Sequence, residues 1–479
     1  MKREFLINIF FLILINILIK PFYIFFIETR VQDTLGPNVY GLYFGIFNIA
    51  FILQIISDLG IQNYNSTSVA RDPSLLKGYL KKILGVKLLL SVVYLFAGML
   101  AAAFFGYLVD SPVIFFAVTV NLIILSFIQY LRTNIAAAGH YRLDSFISVL
   151  DKLILIGILS YLLFNSDRAA EFDILSFIYA QTVAFSIVFI LVLIINFKLA
   201  SVFGISFDLA FSKKILKKSL PFSLVIILMS LYMRMDGFML ERLLDDSAFQ
   251  AGVYAAAFRI YEAFNMIGYL FAILLLPMFA SLINKKKELV GLINSSHNLI
   301  LAIAVSLVAG TIFFRYEIMY WLYPKNADNY YGDLLGLLMV SYFAISISYI
   351  YGTFLTSTNR LLHLNRLLFA GVLINLILNL VLIPGQGAMG AAWATIGTQF
   401  FVLLGQYYLS LHVLQFKPSF FLIGKRSLFI IIVLAVGYLL SAFDITPFWI
   451  LNLIIIELVF IIIAFIFGFI NLKDFTKEN

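Results

Sequence analysis

The sequence predicts an all-α integral membrane protein with about fourteen transmembrane helices, arranged as two six-helix lobes related by a parallel pseudo-repeat plus two C-terminal helices. Three observations predict it. Of 479 residues, 63% are hydrophobic and only 12% are charged, against roughly 45–50% and 25% in soluble domains; the mean hydropathy is +1.02. The apolar residues form continuous runs of the length that crosses a bilayer as a helix, not the ten-residue alternation of a membrane barrel. Finally, Lys and Arg fall on one side. These figures exclude an ordinary globular enzyme, a nucleic-acid-binding domain and a disordered chain. The absence of cysteine excludes a disulfide scaffold, a Cys-ligated zinc site and an iron–sulfur centre.

The spans follow in order. Span one, 5–27, follows Lys2 and Arg3, is interrupted by Lys20-Pro21 and lacks a small-residue cleavage site, so it reads as an uncleaved first span. Span two, 37–57, begins after the polar stretch at Glu28-Thr29-Arg30. The basic connector 58–83 leads to span three, 84–108, and Ser111-Pro112 opens span four, 113–131. Gly139-His140 precedes span five, 146–164, and Asp167-Arg168 precedes span six, 174–196. After the basic connector 197–218 come span seven, 219–240, and, past Glu241-Arg242, span eight, 249–279. Lys285, Lys286 and Lys287 introduce span nine, 292–314, and the polar loop 315–333 introduces span ten, 334–357. Span eleven, 367–384, ends in Pro384-Gly385, and span twelve, 390–412, begins on Gly390. Lys425-Arg426 and Pro447 introduce spans thirteen, 427–443, and fourteen, 448–470.

With the N-terminus placed in the cytoplasm, twenty-three Lys and Arg fall in cytoplasmic segments and five in the opposite loops. That bias sets both termini inside. The net charge of +8 is a remnant of this sidedness and calls for no nucleic acid.

The connector 197–218 separates an N-lobe, 1–196, from a C-lobe, 219–412, followed by a tail, 413–479, holding spans thirteen and fourteen. It reads either as a solvated linker or as a surface-lying helix drawn to anionic lipid. The lobes echo each other. Lys20-Pro21 and Gly41-Leu42-Tyr43 are answered by Arg234-Met235-Asp236 and Gly252-Val253-Tyr254, at offsets of 214 and 211 residues. Six spans is an even number, so both units enter the membrane from the same side.

Several stretches resemble the polysaccharide-transport branch of the multidrug/oligosaccharidyl-lipid/polysaccharide exporter superfamily, the bacterial O-antigen and capsule repeat-unit flippases. They are Leu220-Pro221 before a span ending in Arg234-Met235-Asp236, Gly252-Val253-Tyr254 running to Arg259, and Asn375 to Asn379 followed by Pro384-Gly385 and Gly387 to Thr395. The resemblance implies a two-lobed bundle with a central cavity, alternating access and an undecaprenyl-diphosphate-linked oligosaccharide as cargo. It also implies a bacterial cytoplasmic (inner) membrane location, with polysaccharide polymerase and glycosyltransferases as partners.

Nine charges belong to no loop: Lys20, Lys87, Lys152, Arg234, Arg259, Asp151, Asp236, Glu262 and Glu457. Each is costly in a bilayer and needs a reason. Lys87, near the end of its span, is expected to snorkel to the headgroups. Asp151 and Lys152 are adjacent and do not share a helix face, so each needs another partner, either on a neighbouring span or in a functional role. Lys20, Arg234 and Arg259 sit at similar depth and are the expected cavity cations that bind the diphosphate; the bland reading makes them structural pairs, Arg259 with Glu262 above all. Asp236 and Glu262 are candidates for Na⁺ or H⁺ coupling, or counter-charges to the arginines. Pro21 is a candidate hinge. Asn375 and Asn379 share one face and should bond between helices. Glu457 has no assigned role.

No G-x-x-x-x-G-K-[ST] loop and no H-E-x-x-H occurs, and the four histidines are scattered, so neither a cofactor nor a metal site is expected. The competing readings are a drug/cation antiporter of the same superfamily and a membrane polysaccharide polymerase. The outside loop 315–333 is too short for the latter's catalytic domain, and the cations argue for an anionic lipid cargo over a drug.

Overall fold

The computed structural model describes residues 14–358, 360–415, 419–443 and 445–470. Among them there is no strand, and eleven helices are long and apolar enough to cross a membrane. Two of these are double. Leu14–Ser57 has 44 residues and Leu361–Leu414 has 54, about 66 and 81 Å of helix for a core of about 30 Å. With Leu209–Leu243, 35 residues long, the spans come to the expected fourteen. By contact the chain divides into two compact units, Met1–Gly252 and Val253–Asn479.

In the first unit, α1 (Leu14–Ser57) holds spans one and two. The sharp break lies at Gly36, whose φ of 76° and ψ of 164° suit a residue without a Cβ, and Pro37 starts the second arm. Pro21 does not break the helix; a π-helical segment, Tyr23–Glu28, follows it. A proline cannot donate to the preceding turn, and a wider turn accommodates that loss without a sharp bend. The polar stretch after Glu28 stays helical because its charges find partners: Tyr40 donates to Glu28 at 2.9 Å across the break, and Arg30 pairs with Asp33 at 3.8 Å.

The unit continues with α2 (Ile61–Arg71), α3 (Leu75–Phe104), α4 (Pro112–Ala137), α5 (Tyr141–Phe164), α6 (Ile174–Ala200) and α7 (Leu209–Leu243). The amphipathic α2 lies in what the sequence presents as a plain connector. Its Asn65 donates to Asn134 of α4 at 2.6 Å, and Asn134 donates to Asn196 of α6 at 3.0 Å. All three are fully buried, so this ladder ties three helices in a setting where unpaired amides are costly.

The connector 197–218 splits. Residues to Ala200 complete α6 and the segment from Leu209 begins α7. The piece between is pinned on α3 by the bond from Ser206 N–H to the Lys81 carbonyl at 3.0 Å, and a Cβ on Gly85 would run into that serine's carbonyl. Asp208 caps α7, accepting from Phe211 N–H at 2.9 Å and from Lys82 Nζ at 2.8 Å. The Lys82 ammonium and the Phe211 N–H hold its carboxyl below the usual range. Contacts group α7 with this first unit. Its approach to the second arm of α1 is permitted by glycines: a Cβ on Gly237 would meet Phe44 and Asn48, and one on Gly45 would meet Glu241.

The second unit holds the rest of α8 (Ser247–Ser281), then α9 (Lys286–Phe313), α10 (Arg315–Leu322), α11 (Asn329–Ser357), α12 (Leu361–Leu414), α13 (Phe420–Ser441) and α14 (Trp449–Ile466). The two arms of α12 turn at Gly387, with φ 56° and ψ −133°, and fold back on one another. A Cβ on Gly371 would meet Val402, one on Gly397 would meet Leu378, and one on Gly390 would strike the Leu382 carbonyl. Small residues let helix backbones approach where no hydrophobic force drives helices together.

Candidate functional site

On α7, Arg234, Gly237 and Glu241 fall at i, i+3 and i+7, one stripe of a helix. That stripe faces the second arm of α1. The Arg234 guanidinium lies 4.9 Å from the centroid of Phe51 and 5.7 Å from that of Phe47, which sit one helical turn apart. Rings so placed attract a cation through their π faces and leave the orientation of its N–H edge to the plane they define. Asp236, two residues on, is buried at 3% exposure. Further along, Glu241 accepts from Tyr107, pairs with Arg242 at 2.9 Å, and Arg242 stacks 3.8 Å above the Tyr107 ring.

Lys20 has different company. Asn16 donates to Ser148 of α5 at 3.0 Å, and this register brings Lys20 level with Asp151 and Lys152. Its charged neighbours are Arg132, Asp144, Asp151 and Lys152. Asp151 and Lys152 pair with each other at 3.5 Å, contrary to expectation: a lysine stem is long enough to bend its ammonium round to the adjacent residue. Lys152 also sits 4.7 Å over the Tyr23 ring of α1.

In the second unit Arg259 donates to Glu262 on the same face of α8, the structural pairing the spacing allows. Arg259 is 9% exposed. Around it Tyr254, Phe258 and Tyr261 stack at 5.6 and 5.3 Å between centroids, and the Tyr254 and Thr395 hydroxyls lie 3.4 Å apart. Asn379 donates to Asn375 at 3.1 Å within the first arm of α12.

Lys87 overturns its expectation. It does not snorkel. Its side chain is fully buried, and Nζ reaches Asp58 Oδ1 at 2.8 Å, Ser126 Oγ at 2.8 Å and the Ser57 carbonyl at 3.2 Å. Rings of Phe127 and Tyr130 flank the ammonium at 5.6 and 5.9 Å. Asp58 is the first residue of the connector after span two, so the anion was in view in the sequence; what sequence could not give was that α1 and α3 bring the two together. Sequence reading also missed Glu28 and Asp33, both buried, by assigning them to an outside loop. It missed Arg426 by counting it with a connector.

The family model for polysaccharide biosynthesis proteins matches residues 5–283. No curated protein matches the sequence. Among solved structures, the chain is similar to lipid II flippase MurJ in an inward closed conformation, with 16% identity, a TM-score of 0.71, and 97% of this chain and 99% of that one covered. A multidrug resistance MATE family transporter of the MOP superfamily, inward-facing, aligns with 14% identity and a TM-score of 0.63 over 85% of this chain and 99% of that one. A MOP superfamily transporter from Pyrococcus furiosus aligns with 14% identity and a TM-score of 0.58 over 86% and 95%. These likenesses show the fold: a multi-pass helical bundle of the kind these transporters share.

Proposed function

Since the chain belongs to the polysaccharide biosynthesis protein family, we propose that it is a flippase and not an enzyme. It carries undecaprenyl-diphosphate-linked oligosaccharide, the repeat unit of an O-antigen, capsule or exopolysaccharide, from the cytoplasmic to the outer leaflet by alternating access. On this reading it works in a bacterial inner membrane with both termini in the cytoplasm, beside the glycosyltransferases and polymerase that make and use its cargo. The lipid II flippase among its structural neighbours handles a lipid-linked cargo by name, which supports the choice of substrate class.

The observation that carries the reading is Arg234. It is a half-buried guanidinium nine residues before the end of α7, stacked on Phe47 and Phe51. Stacking engages the face of the group, while phosphate is bound by its edge, bidentately. In a low-dielectric setting that attraction far exceeds its value in water. Lys20 and Arg259 are proposed as further diphosphate ligands. Asp236 and Glu262 are proposed as the acids through which Na⁺ or H⁺ movement is coupled, and Pro21 with the π-helical segment after it as the place where α1 bends.

The test is flipping of a fluorescent lipid-linked oligosaccharide in vesicles at matched protein levels. Arg234→Ala is expected to lower the rate at least about tenfold, the worth of one charge-assisted bond. A rate within twofold of the parent would count against the reading.

A further inference from the structure

A small, mostly apolar cleft lies wholly within the second unit, between the first turns of α9 and α13 and the last turns of α12. It opens at the end of the bundle that carries the Lys/Arg-rich connectors 280–291 and 413–426. Arg426 of α13 reaches into it. Its Nε donates to Asn298 Oδ1 at 2.9 Å and its Nη2 to Asn294 Oδ1 at 3.2 Å. Two amide oxygens thus fix the plane of a guanidinium that has five N–H donors, and three remain for something else. Ser410 also lines the cleft. It is fully buried, and its Oγ has no hydrogen-bond partner among the described residues. A buried hydroxyl left without a partner is costly unless a ligand supplies one.

Tyr407 stands on the same wall. The Tyr351 hydroxyl is already engaged with His297 Nδ1 at 2.7 Å. Among the described lining residues there is no carboxylate and Arg426 is the one cation. A guanidinium held flat, with hydroxyl donors beside it and no competing anion, matches a tetrahedral oxyanion.

We propose that this cleft is a binding site for a phosphoryl anion, held by Arg426 and Ser410. The group comes either from a phospholipid headgroup, since the cleft lies at the basic end of the spans with apolar walls from Ile293, Leu414 and Ile423, or from free phosphate. Nothing in it depends on Arg234, Lys20 or Arg259, so it stands or falls apart from the transport reading.

The full chain, purified in detergent, is titrated in one arm with inorganic phosphate and in the other with short-chain phosphatidylglycerol, at constant ionic strength, and the melting midpoint is followed. A saturable rise in either arm is expected. Arg426→Gln should weaken the apparent affinity at least about tenfold, and Ser410→Ala by about threefold or more, as the loss of a charged and a neutral hydrogen bond imply. Saturation by the lipid alone assigns the headgroup; saturation by phosphate assigns the free anion. If Arg426→Gln does not fold, Arg426→Lys, which keeps the charge and loses the fork, and Ser410→Ala carry the test. The proposal is overturned if neither probe saturates, or if the folded variants bind within twofold of the parent.

Discussion

Lys87 and Asp58 form a buried ion pair, with Nζ 2.8 Å from Oδ1 and side-chain exposures of 0% and 14%. It fastens the middle of α3 to the end of α1. Removing one partner of such a pair leaves a charge without compensation and costs about 3–5 kcal/mol. Asp58→Ala should therefore lower the melting midpoint more than Lys87→Met, because the lysine it orphans is the more deeply buried of the two. Equal midpoints for parent and Asp58→Ala would show that Ser126 and the Ser57 carbonyl suffice.

The echoed glycines of the two repeats meet within the first unit. A Cβ on Gly41 would run into the Ala248 carbonyl, and one on Gly252 into that of Pro37. Both obstacles are backbone, so neither can swing aside. Gly41→Val and Gly252→Val should each cost about 1–3 kcal/mol or more, read as loss of the monodisperse peak in detergent. Gly291→Val, where nothing lies near the added carbon, is the control and should elute as the parent does.

The asparagine ladder predicts a graded effect. Asn134 both accepts from Asn65 and donates to Asn196, whereas Asn65 sits at one end. Hydrogen bonds between membrane helices are worth about 0.6 kcal/mol each on average, up to about 1.7. Asn134→Ala should destabilise by about 1–3 kcal/mol and Asn65→Ala by roughly half as much, measured by thermal unfolding of the purified chain.

Arg259 and Glu262 permit stability and transport to be read separately. Glu262→Gln should lower the melting midpoint because it removes the carboxylate to which the buried Arg259 donates. Exchanging the two, Arg259→Glu with Glu262→Arg, should restore the midpoint. Transport should stay at least about tenfold down in the exchange if Arg259 binds cargo; full recovery would reduce the pair to a strut.

Asp208 predicts a dependence on pH. Its carboxyl lies below the usual 3.8 because of Lys82 and the Phe211 N–H. A group depressed on folding contributes fully above the unfolded value, and the contribution is lost as pH falls through the folded one. The protection factors of the Phe211 and Ser212 amides, with the intrinsic pH dependence of exchange divided out, should be high at neutral pH and fall below pH 3.8. In Asp208→Asn the exchange should show no such step.

Much of this was legible beforehand, for a physical reason. A bilayer fixes the length of each apolar run, so the fourteen spans follow from composition and run length alone. Arg234, Asp236 and the Arg259–Glu262 pair were legible because charge in an apolar run is conspicuous and helical spacing says which charges share a face. What failed was whatever depends on two distant segments meeting. Lys87 could reach outward or inward, and only the seat of Asp58 beside it decides. Arg426 looked like one more cation in a connector until α9 placed two asparagines against it. Helix continuity failed too: the stretch around Glu28 is polar enough to pass for a loop, and its partners across Gly36 keep it helical.

The turns at Gly36 and Gly387 bear on how the chain is made. Each joins two spans through a single residue, with no loop to be drawn through the bilayer by itself. Spans one and two, and spans eleven and twelve, are thus suited to entering as hairpins, with no slack between their arms. A flexible insert at either glycine would uncouple those arms, and biogenesis would suffer before any step of transport.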